Sequence, residues 1–129
     1  MTRNVHSSPN GPAAIGPYSH GVWADDLLFL SGQTPIDPAT GALVPGGMAE
    51  QTEQVFRNLE AVVTDAGLTM DDVVKCTVFL TTMEDFPEMN AVYGTHFGEP
   101  YPARSTVAVA GLPLGARVEI ELVAKRGDI

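Results

Sequence analysis

Apolar and polar positions change period several times along the chain, and each change marks an element. In the first third the apolar residues come in short runs. Val22 to Ala24 is one. Leu27-Leu28-Phe29-Leu30, bounded by Asp25-Asp26 and Ser31-Gly32, is a second and predicts a buried strand. Asp37-Pro38-Ala39-Thr40-Gly41 carries turn chemistry. Asp bonds the turn backbone, Pro presets φ and Gly accepts positive φ, so a hairpin is expected there. From residue 49 to residue 66 the period turns helical. Val55, Leu59, Val62, Val63 and Ala66 share one stripe, with Glu53, Gln54, Arg57 and Glu60 largely off it. Gly67 is the expected C-cap, and Thr69 with Asp72 three residues on predicts a capped short turn.

Val74 to Thr81 alternates again and predicts a strand, with Val74, Cys76, Val78 and Leu80 on one face and Lys75, Thr77, Phe79 and Thr81 on the other. A second helix follows. Asp85 is the expected N-cap, with Glu88 completing a capping box and Pro87 in the first turn. Phe86, Met89, Tyr93 and Phe97 form its apolar stripe. The chain then predicts a β-hairpin, Ser105 to Ala110 against Gly115 to Ala124 across Gly111-Leu112-Pro113-Leu114. The order strands, helix, strand, helix, two strands implies an α+β sandwich, one mixed sheet with two helices on one face.

That hairpin has a consequence for its polar residues. If Ala110 faces Gly115, Thr106 lies opposite Glu119 and Arg104 opposite Glu121. Arg104, Thr106, Glu119 and Glu121 then share a polar face. Ser105, Val107, Val109, Val118, Ile120 and Leu122 take the face expected under the helices. The polar face fits a site with a cation, a hydroxyl and a carboxylate. It equally fits a solvated sheet face with ordinary cross-strand ion pairs.

Composition narrows the function classes. A length of 129 residues fits a single domain spanning residues 1–129, large enough to need no disulfide or metal staple. With 16 acidic residues against 7 basic, the formal charge is -9, and the basic residues are isolated apart from Lys125-Arg126. A nucleic-acid partner, which needs a local basic excess, is not expected. Cys76 is the lone cysteine and sits in an apolar strand, as a core residue would. No apolar run reaches the length of a membrane span and the first residues lack a secretion signal, so a cytoplasmic location without membrane association is expected. His6, His20 and His96 show no ligand spacing, and no phosphate-binding glycine signature is present. Neither a metal nor another cofactor is expected.

Six blocks of the chain resemble the RidA/YjgF family: Ile15-Gly16-Pro17-Tyr18-Ser19, Leu30-Ser31-Gly32-Gln33, Val73 to Leu80 (VVKCTVFL), Asn90-Ala91-Val92-Tyr93, Pro102-Ala103-Arg104-Ser105 and Val118-Glu119-Ile120-Glu121. Their order and spacing match over nearly the whole chain. The resemblance implies a chorismate-mutase-like fold and a homotrimer with ligand sites in the clefts between subunits. It implies an enamine/imine deaminase serving metabolite damage control, which hydrolyses 2-imino acids, derived from 2-aminoacrylate-type intermediates, to 2-keto acids and ammonia. By resemblance, Arg104 is the substrate-carboxylate arginine and Glu119 the carboxylate near the attacking water. Tyr18, Gly32 and Asn90 match further substrate-binding positions. Thr106 stands where many members carry cysteine, which removes thiol chemistry and leaves a hydroxyl to hold a water.

The chemistry is coherent with these residue types. A guanidinium bonds both carboxylate oxygens and stays charged. A carboxylate beside a hydroxyl orients water and moves a proton, so Arg104, Glu119 and Thr106 suffice without a covalent nucleophile. Other roles fit the same residues. Tyr18 suits a packed aromatic, Asn90 an exposed helix residue, and Gly32 a backbone requirement. Glu121 suits either a brace for Arg104 or a position facing a trimer centre. The same cleft would serve a non-catalytic metabolite sensor or holdase-like trimer. Ribonuclease or translation-inhibitor activity, described for some members of the family, is weighed down here by the negative charge.

Overall fold

The structure is a computed structural model that describes residues 2–127. Its strands are β1 (Asn4–His6), β2 (Gly21–Ala24), β3 (Leu27–Leu30), β4 (Val73–Leu80), β5 (Ala103–Ala108) and β6 (Val118–Lys125), and its helices α1 (Met48–Asp65) and α2 (Phe86–His96). The expected architecture holds: one mixed six-stranded sheet, in the order β1-β2-β3-β6-β4-β5, with both helices in the core on one face. All pairings are antiparallel except β4 with β5.

That exception overturns the expected C-terminal hairpin. β5 and β6 are not neighbours, because β4 lies between them. Arg104 is in register with Cys76 and Thr106 with Val78, while Glu121 is in register with Thr77 and Glu119 with Phe79. Residues in register point to the same side, so Arg104 and Thr106 share the helix face with buried Cys76 and Val78. Glu119 and Glu121 take the opposite face. α2 supplies the crossover that a parallel pair requires, and a hairpin cannot. Arg104 is tolerated on the helix face because β5 is an edge strand with five of its six residues exposed.

The core forms where the periodicity places it. Val55, Leu59, Val62 and Val63 of α1 are at most 1% exposed, each burial contributing about 1.5–3 kcal/mol before the entropy of ordering. Gln54, placed largely off that stripe by the sequence, is also buried. Its Nε2 donates to Asn58 Oδ1 at 2.9 Å, and Asn58 Nδ2 donates to the carbonyls of Thr34 (3.1 Å) and Ile36 (2.8 Å). α1 therefore covers the sheet with one side and anchors the 33–36 loop with another. Gly67, at φ +80°, follows the helix in the left-handed conformation that favours glycine. The Asp37–Gly41 turn closes as expected, with Asp37 N–H donating to Ala42 O at 2.9 Å and Ile36 bridging Leu43.

Two local expectations are corrected. The ladder shifts register between Val73 and Lys75, so Val73 is buried and Val74 is 43% exposed rather than aligned with Cys76. Asp85 makes no side-chain cap for α2. Its carboxylate instead receives Arg117 Nη2 at 2.7 Å and Nε at 3.3 Å, a fork that ties the start of α2 to the start of β6. β1, around the single apolar Val5, gave no periodic signal of its own.

The sheet face away from the helices is uncovered. Phe29 and Val107 are 48% and 43% exposed there, beside Glu119 and Glu121.

Candidate functional site

Two grooves hold the candidate residues apart from Thr106, and each takes a different group of them. The first, of about 470 Å³, is lined by Asn90, Tyr93, Gly94, Tyr101, Pro102 and Arg104. α2 and the β5 edge build it. Arg104 Nη1 donates to Asn90 Oδ1 at 2.7 Å. The guanidinium carbon stands 4.6 Å from the Tyr93 ring centroid and 5.4 Å from that of Phe86. Among the described residues no carboxylate lies within ion-pair distance of Arg104. Glu121, weighed from the sequence as its brace, is on the other side of the sheet.

The second groove, of about 520 Å³, contains Tyr18, Gly32 and Glu119 along with Gln33, Ile15 and Leu114. Gln33 and Ile120 exchange backbone hydrogen bonds at 2.9 and 3.1 Å, which lays the Ser31-Gly32-Gln33 run beside β6. A Cβ on Gly32 would collide with the Glu119 carboxylate, its carbon only 2.9 Å away. Gly32 is thus needed for space, not for a left-handed backbone. Burial first, and the nearby charge of Glu121 second, push the Glu119 carboxyl above its usual range. Tyr18 is half exposed and sits on a tight turn, its N–H donating to Gly16 O at 2.9 Å. The run leading to it is pinned by Asp65, which accepts from Ser8 Oγ (2.6 Å), Asn10 Nδ2 (2.6 Å) and Asn10 N–H (3.0 Å).

Thr106 belongs to neither groove lining. Its Oγ1 is buried and makes no hydrogen bond among the described residues, and the same is true of Tyr93 Oη. Cys76 is fully buried, with burial raising its thiol pKa, which suits a core residue and not a nucleophile. The histidines have structural partners: His6 with Val62 O, His20 with Ser8 N–H and Pro12 O, His96 with Glu53. Among the described residues no group of three His, Cys, Asp or Glu gathers as metal ligands would.

Residues 8–126 match the family model described as Endoribonuclease L-PSP. The chain belongs to this family. The 2-iminobutanoate/2-iminopropanoate deaminase of Mus musculus is 46% identical over 127 residues, which covers 98% of this chain and 94% of the relative. The crystal structure of YyfA from Yersinia pestis, described as a protein of unknown function of the conserved Rid protein family, is 44% identical with TM-score 0.93, covering 97% of this chain and 100% of that one. E. coli TdcF, solved with bound serine, is 40% identical with TM-score 0.89, covering 95% and 98%. The RidA/YjgF resemblance carried by the six blocks is thus family membership.

For this L-PSP family chain the structure joins Arg104 with Asn90, and Glu119 with Gly32 and Tyr18, but leaves the two groups on opposite faces of the sheet. The sequence pattern gave Tyr93 and Phe86 only to an apolar stripe, whereas both rings stand against the Arg104 guanidinium. Their spacing held the signal: positions 86, 90 and 93 form one ridge of α2, with Asn90 its polar member. Gln33 and Leu114 beside Glu119 gave no comparable signal.

Proposed function

We propose that this chain hydrolyses 2-imino acids to 2-keto acids and ammonia. The observation that carries the reading is the division of labour between an Arg104 that pairs with no carboxylate among the described residues and a half-buried Glu119 with a raised pKa. The names of relatives such as the mouse deaminase support the reaction class. Bound serine in TdcF supports a ligand of amino-acid size.

In this reading Arg104 grips the substrate carboxylate, with Asn90 beside it. The imine nitrogen is protonated, and water adds to the imine carbon as Glu119 takes its proton. Glu119 then returns that proton to nitrogen, the C–N bond breaks, and ammonia leaves with the electron pair. The remaining hydroxyl loses its proton to solvent water, replacing the one that first protonated the imine, and becomes the keto oxygen. Tyr18 and Gly32 shape the Glu119 groove around the ligand. Thr106 lies on the Arg104 side of the sheet, its buried hydroxyl without a hydrogen bond among the described residues. No cofactor or covalent intermediate enters.

Arg104 and Glu119 occupy opposite faces, so a complete site takes Arg104 from one copy and Glu119 from the next. A homotrimer with sites between subunits meets that need, and the uncovered face bearing Phe29 and Val107 is the surface for it. The test generates iminopropanoate with a dehydratase and follows its loss. Wild type should accelerate clearance and Arg104→Ala should not. Equal, slow clearance by both would sink the assignment. The description Endoribonuclease L-PSP favours RNA cleavage as a second reading. Cleavage by a nuclease-free preparation that disappears in Arg104→Ala would support it.

A further inference from the structure

A cation that must receive a carboxylate keeps more of its charge for the ligand when the groups that hold it are themselves uncharged. Arg104 is held in this way. Asn90 gives it a neutral amide oxygen, and the rings of Tyr93 and Phe86 give it π faces at 4.6 and 5.4 Å. All three groups sit on one ridge of α2.

Tyr93 is itself fixed. It is 5% exposed, meets Phe56 edge-on at 5.7 Å and lies against Phe97 at 5.0 Å. The guanidinium stands over the face of its ring, so the ring is what Tyr93 presents to Arg104. Such a platform restricts a long side chain without neutralising it, and loses little rotamer freedom when the ligand arrives.

We infer that Tyr93 and Phe86 are positioning residues for Arg104, an aromatic platform on α2 that holds the guanidinium uncompensated and aimed for an anionic carboxylate. This rests on the proposed clamp role of Arg104. The platform acts on binding of the carboxylate, and not on the later proton transfers, so its loss should appear in KM and in product affinity.

The test uses the full chain, with 2-ketobutyrate binding by calorimetry and turnover of iminobutanoate. Tyr93→Leu and Phe86→Leu should each raise the 2-ketobutyrate Kd and the KM by about tenfold, with kcat changed less than about twofold. Tyr93→Phe, which keeps the ring, should restore both constants to the wild-type values. Equal Kd for wild type and a folded Tyr93→Leu overturns the platform. So does a Tyr93→Phe that loses as much as Tyr93→Leu, since the hydroxyl would then be the active part. If circular dichroism shows Tyr93→Leu unfolded, the less buried Phe86→Leu decides by the same criterion. Arg104→Ala separates the two ideas. If it still binds 2-ketobutyrate, the clamp reading itself fails. If it loses binding while Phe86→Leu and Tyr93→Leu keep it, only the platform fails.

Discussion

At Arg104 the chain leaves a cation open and props it with uncharged partners. At Glu119 it draws a carboxylate half under cover and sets a second carboxylate near it. The first arrangement leaves the guanidinium without a neutralising neighbour among the described residues. The second makes charge expensive, so the proton is exchanged closer to neutrality. In the proposed reading one region holds the ligand and the other trades a proton. The sheet between them keeps the two from cancelling as an ion pair.

The largest effect should come from separating the regions onto different chains. Arg104→Ala and Glu119→Gln should each lower kcat/KM by about a hundredfold or more. Mixing the two under conditions of subunit exchange should recover about a quarter of the wild-type rate, since a quarter of the interfaces in a randomly mixed ring pair two intact halves. No recovery after verified exchange would mean that a partner copy does not unite them.

A smaller effect is expected from crowding the Glu119 side alone. Gly32→Ala places a methyl group where the carboxylate lies, and the carboxylate, as the end of a flexible chain, moves away. Turnover should drop about tenfold, with the melting temperature within a few degrees of wild type. Unchanged turnover would show that the carboxylate need not stand at Gly32.

The smallest effect is in stability, and its sign follows from the raised pKa of Glu119. The folded chain binds that proton more tightly than the unfolded one. The associated stability is present below the unfolded pKa and is lost as pH rises through the folded pKa. Glu119→Gln should therefore melt above wild type at pH 8, and the gap should close toward pH 4. In wild type kcat/KM should rise with pH through the same raised pKa, because the base works deprotonated. A lower melting temperature for Glu119→Gln at pH 8 would show that the ionised carboxylate is compensated in the fold.

Local patterns carried most of the elements into view. The stripe Val55-Leu59-Val62-Val63 announces α1 because one face meets only the core, and the Asp37–Gly41 turn is written in its own residues. Strand neighbours are another matter. Nothing near Ala103–Ala108 says that β4 separates it from Val118–Lys125, since a parallel pair is joined through a helix and not a turn. The face of Arg104 was consequently inverted. Arg104 and Glu119 were singled out by residue type within their blocks, while their separation onto two faces depends on contacts far apart in sequence.

Strand β6 pairs with both β3 and β4, which do not pair with each other. Without it the sheet falls into a three-stranded piece, β1-β2-β3, and a two-stranded piece, β4-β5. In the order of synthesis this weld follows the other five strands. Until it arrives both pieces carry open edges, the state in which a nascent chain is most prone to pair wrongly. β6 also carries Glu119, so the groove that Glu119 shares with Gly32 can assemble only in the step that closes the sheet. A chaperone shielding those edges would hold a chain whose Arg104 is already in place and whose Glu119 has yet to join the sheet.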